Sequence, residues 1–99
     1  MYCQVLEVDT SGQVIQSFGG ARGSDTTTQL KWPWYVVIDE ATDECLVADR
    51  NNFRVLHLGP DLRPSDVVIN SPQGPSRLCL ARDRLLVAQS SHVDIFKLR

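Results

Sequence analysis

Apolar residues in this chain come in short runs, each closed off by Asp, Asn, Gly or Pro. Runs of that length, rich in β-branched and aromatic residues and bounded by turn formers, predict strands and tight turns. The clearest stretch is residues 32–58, WPWYVVIDEATDECLVADRNNFRVLHL. It predicts strands over 34–38, 45–48 and 54–58, joined by turns over 39–44 and 50–53. The first two of these strands are apolar at successive positions rather than alternate ones. That pattern predicts strands covered on both faces, as in the middle sheet of a stack. A shorter, more polar fourth strand is expected over 65–69, after the turn at 59–62. Upstream, strands are expected over 2–9 and 13–18, with Gly19-Gly20 breaking the second. The segment ARGSDTTTQ over 21–29 then reads as a connecting loop. Downstream, NSPQGP stops the chain again, and strands follow over 76–81, 85–89 and 93–98. No stretch shows helical periodicity of useful length.

The same unit recurs about every 40 residues, the length of a four-stranded propeller blade. Pro33 falls near Pro75, with the turn after the first strand shortened by two residues. CLVAD at 45–49 aligns with LLVAQ at 85–89, and RVLHL at 54–58 aligns with DIFKL at 94–98. QVLEV at 4–8 matches the third strand once more. The reading is therefore all-β, with antiparallel strands in repeated sheets.

The proline before an apolar strand, then LVAD, then Asn52-Phe53-Arg54-Val55-Leu56, resembles the NHL repeat. That resemblance is good over 30–69, fair over 2–20 and weaker over 72–99, where Gln89 and Asp94 replace the family's acid and arginine. It implies a partial β-propeller of four-stranded antiparallel blades. Residues 1–20 would end one blade, 21–31 form a loop, 32–70 a complete blade and 71–99 three strands of the last. About two and a quarter blades cannot close a ring, since the smallest propellers have about four. Remaining blades, or other copies of the chain, are expected to complete it. RVLHLGPDLRPSDVVI and the last residues are similar to the C-terminal propeller of animal tripartite-motif-like proteins. A non-catalytic module presenting loops for protein binding is implied, the substrate-recognition part of such a ubiquitin ligase. The alternative the family offers is single-stranded RNA binding through an arginine-bearing face.

Composition leaves this picture intact. Hydrophobic residues make up 42% and charged residues 22%, as in ordinary globular domains. No apolar run reaches a membrane span and no basic-then-apolar leader precedes the first strand, so no membrane contact and a cytoplasmic setting are expected. Charge changes the picture more. The net of −2 divides into −6 over residues 1–49 and +4 over residues 50–99. Arginine dominates the basic half, a choice that suits carboxylate or phosphate partners. Cys3, Cys45 and Cys79 show neither zinc-ligand spacing nor a disulfide framework, and buried reduced thiols are expected.

Candidate chemistry is sparse. His57 and His92 are isolated, and Asp39, Asp43 and Glu44 lack calcium-loop spacing. No nucleophile elbow, P-loop or dinucleotide fingerprint is present, so neither enzymatic activity nor a cofactor or metal is expected. The binding candidates are Trp32, Arg50, Asn51, Asn52, Arg54 and Arg63. Asp49 and Arg54 flank the Asn51-Asn52 turn and are expected to form an exposed ion pair worth about 0–1 kcal/mol. Of Trp32 and Trp34, at least one is expected in the core, with Trp32 the better candidate for exposure.

Overall fold

The computed structural model of the chain describes residues 4–19 and 29–98. Nine strands run in order: β1 (Gln4–Val8), β2 (Val14–Gly19), β3 (Pro33–Asp39), β4 (Glu44–Asp49), β5 (Arg54–Leu58), β6 (Pro64–Asn70), β7 (Arg77–Ala81), β8 (Arg84–Ala88) and β9 (Val93–Lys97). They form three antiparallel sheets, ordered β1-β2, β3-β4-β5-β6 and β7-β8-β9. Expected strands and observed strands agree within a residue or two. Part of the expected loop (20–28), the first residues of the first expected strand and Cys3 lie outside the described residues.

Turn chemistry explains the spacing. Between β3 and β4, the Asp39 carboxylate accepts the Ala41 N–H at 3.1 Å, and its carbonyl accepts the Asp43 N–H at 2.7 Å. Asp43 closes that turn in the left-handed region, φ +58°, which Asp tolerates better than bulkier residues. Between β5 and β6, the Asp61 carboxylate accepts the Arg63 N–H at 3.1 Å.

The three sheets stack face to face. Alternation along a strand sends successive side chains to opposite faces. Cys45, Val47, Leu56 and Leu58 of the second sheet pack with Phe18 and Val5 of the first. Leu46, Ala48 and Val55, on its other face, pack with Leu78, Leu85 and Val87 of the third. β4 is thus buried on both sides, as its unbroken apolar run predicts. Each large side chain so buried contributes roughly 1.5–3 kcal/mol of transfer free energy. β4 and β8 are both the second strand of their sheets, and β3 and β7, the two first strands, lie close together.

Three expectations are corrected. β3 is not covered on both faces: Trp34, Tyr35, Val36 and Ile38 are exposed. It is an edge strand, and among the described residues the first sheet brings only two strands to the side that carries Trp34, Val36 and Ile38. Both tryptophans lie outside the core, Trp32 at 44% and Trp34 at 54% exposure. Cys79 is exposed as well, whereas Cys45 is buried. Burial pushes the Cys45 thiol up to about 11, which keeps it protonated and unreactive near neutrality.

Candidate interaction surface

One end of the second sheet gathers the start of β3, the end of β4, the start of β5 and the end of β6. At its centre lies Asp49, with no solvent exposure of its side chain. Its Oδ1 accepts the Lys31 N–H at 2.7 Å, and its Oδ2 accepts Asn52 Nδ2 at 2.8 Å and Arg54 Nε at 2.9 Å. Arg54 and Asn52 also donate to the Gln29 carbonyl, at 2.8 and 3.1 Å. The expected exposed ion pair is therefore a buried one, with only 12% of the Arg54 side chain accessible. Breaking one partner of such a pair costs far more than losing a surface contact, because the other charge is left without compensation.

This network fixes the turn above it. Residues Arg50–Asn52 form a single 3-10 turn ending at Phe53, whose φ of +55° is left-handed. The Arg50 and Asn51 N–H groups donate to the Trp32 and Lys31 carbonyls at 3.1 and 2.9 Å. Trp32 itself holds a φ of +64°. A bulky residue in that region is a genuine outlier and persists only where its surroundings over-determine it. Gly74 closes the far side: a Cβ there would sit 3.1 Å from the Arg50 carbonyl oxygen, at a φ of +83°.

What the frame presents to solvent is aromatic. Trp32, Trp34 and Phe53 are exposed, and the Arg50 guanidinium lies 4.8 Å from the Trp34 ring centroid. That geometry is a cation–π contact. Of the predicted binding residues, Trp32, Arg50, Asn51, Asn52 and Arg54 come together at this end. Arg63 does not. It follows β5, at the opposite end of the sheet, beside Asp61 at 3.4 Å. Phe53 was not among the candidates; an aromatic between two turn asparagines and an arginine was the available signal.

The third sheet repeats the corner with other groups. Gln89 Oε1 accepts the Gln73 N–H at 3.1 Å, as Asp49 accepts that of Lys31. Gln89 Nε2 lies 3.1 Å from His92 Nε2 and donates to Asp94 Oδ2 at 2.6 Å. His92 and Asp94 stand where Asn52 and Arg54 stand one repeat earlier.

Away from this end, a cleft of about 410 Å³ opens between the second and third sheets. His57, Glu44, Leu46, Ile69, Phe96 and Leu98 are among the residues that line it. His57 is nearly buried, and its Nε2 meets no hydrogen-bond partner among the described residues. Desolvation lowers its pKa, while the Glu44 carboxylate, 3.7 Å from Nδ1, works in the opposite direction. Among the described residues, no three His, Cys, Asp or Glu side chains converge as metal ligands. No helix there is long and apolar enough to cross a membrane.

No protein-family model matches the chain, and none of the curated proteins is significantly similar to it.

Proposed function

We propose that the chain is a non-catalytic interaction module, a partial β-propeller of NHL type that binds a protein partner through the aromatic end of its second sheet. The observation that carries this reading is the exposed set Trp32, Trp34 and Phe53, with Arg50 on the Trp34 ring, standing on the buried Asp49 network. Trp and Arg dominate the binding energy of protein interfaces, and preorganisation reduces the entropy lost on docking. The repeated corner and the equivalent places of β4 and β8 support the blade reading. A role as the substrate-selecting part of a tripartite-motif-like ubiquitin ligase follows from the same resemblance. Free thiols at Cys45 and Cys79 suit a reducing, cytoplasmic compartment.

The RNA alternative needs Arg50, Arg54 and Arg63 to act together. Arg54 is engaged internally, Arg50 lies on Trp34 and Arg63 is at the other end. The test is selection from a peptide display library, followed by calorimetric titration of the enriched peptides. Trp34→Ser and Phe53→Ser are expected to weaken binding at least about tenfold, while Arg63→Ser leaves it unchanged. Failure to enrich any peptide, or binding indifferent to both aromatic changes, overturns the reading.

A further inference from the structure

The second and third sheets are copies, so each residue on one has a counterpart on the other. Val37, Leu46, Ala48 and Val55 form the side of the second sheet that the third sheet covers. Their counterparts are Cys79, Leu86, Ala88 and Ile95. Register places these four on one face: Cys79 lies opposite Leu86, and Leu86 opposite Ile95. That face points away from the second sheet, because Leu85 and Val87 point toward it. Cys79, Val93 and Ile95 are exposed, and no described residue covers them. At the other end of the stack, Leu6, Val8 and Ile15 of the first sheet are exposed, opposite the side where Val5 and Phe18 pack.

We infer that the uncovered face of the third sheet docks onto the uncovered face of the first sheet in a second copy of this chain. Continuity selects that occupant: the contact would repeat, between chains, the sheet-on-sheet packing already made twice within the chain. Both free faces are apolar at their centres, Cys79, Leu86 and Ile95 on the third sheet and Leu6, Val8 and Ile15 on the first. The contact joins two different surfaces, so it is heterologous and extends head to tail. It rests on the equivalence of the sheets and not on the partner-binding reading.

The test uses sedimentation velocity of the 99-residue chain across a concentration series, with circular dichroism to confirm folding. Wild type is expected to gain mass with concentration. Ile95→Glu and Leu6→Glu, both at exposed positions, are each expected to weaken self-association at least about tenfold. Mixing the two variants is the decisive arm, because each retains one intact face. A one-to-one dimer is expected from the mixture alone. A wild-type monomer at every concentration overturns the inference, as does association that survives Ile95→Glu. Failure of the mixture to pair overturns it too, in favour of a symmetric contact or of a different protein covering this face. Peptide binding at Trp34, followed on the same variants, separates this outcome from failure of the proposed function.

Discussion

At the end of β4 a buried carboxylate gathers the incoming chain, a turn asparagine and an arginine; at the end of β8 a carboxamide gathers the incoming chain, a histidine and an aspartate. In both corners the central side chain accepts a backbone N–H from the segment entering its sheet. In both it also bonds the first turn of the next strand. The charges differ: Asp49 needs a cation, whereas Gln89 supplies a donor of its own and so pairs with an acid. What the repeat requires is a buried side chain that ties three segments together, and an ion pair is one of two ways to provide it. The ionic corner is the more costly to break, since losing one partner leaves an uncompensated charge.

The largest predicted effect tests that asymmetry. Asp49→Ala leaves Arg54 and the Lys31 N–H without their acceptor and is expected to cost about 3–5 kcal/mol, read as a shift in the urea midpoint. Installing the other corner, Asp49→Gln with Arg54→Asp, is expected to recover at least about half of that loss, since each buried polar group left unsatisfied costs about 1–3 kcal/mol and the exchange gives these groups partners again. No recovery would mean that the two corners are not interchangeable. Next in size is a pair of matched truncations. Leu46→Ala, at a covered position, is expected to cost about 2–5 kcal/mol, and Leu86→Ala, its uncovered counterpart, under about 1 kcal/mol at concentrations where the chain is monomeric. Gln89→Ala is expected to cost about 1–2 kcal/mol, less than Asp49→Ala because no charge is stranded.

The smallest effect concerns His57. Burial lowers its pKa in the folded chain below the ordinary histidine value of 6.5. The unfolded chain then binds the proton more readily, so stability is full above pH 6.5 and falls as pH drops from there toward the folded pKa. His57→Leu is expected to remove that part of the acid dependence while leaving stability near pH 7 within about 1 kcal/mol, since Nε2 loses no partner. Denaturation midpoints at pH 5 and pH 7.5 for both proteins decide it.

Strand positions, turns and the 40-residue repeat were legible because they depend on local pattern. The two-sided burial of β4 was legible for the same reason. β3 was not, although its run is equally apolar. Whether an apolar strand is covered depends on how many strands the neighbouring sheet brings, and among the described residues that sheet has two. Cys79 escaped for a related reason: it lies on the face that nothing described covers. Sequence proximity brought Arg54 into the candidate surface, but the register of Asp49 opposite Arg54 turned its charge inward. Arg63 was separable in principle, since it follows a complete strand and must lie at the sheet's other end.

The most direct test of the repeated, same-facing sheets is a set of methyl–methyl nuclear Overhauser contacts from a chain labelled at Ala, Ile, Leu and Val. The account predicts contacts joining Leu46, Ala48 and Val55 to Leu78, Leu85 and Val87, and none from Leu86 or Ile95 to the second sheet. Contacts from Leu86 or Ile95 to Leu46 or Val55 would turn the third sheet over and contradict it.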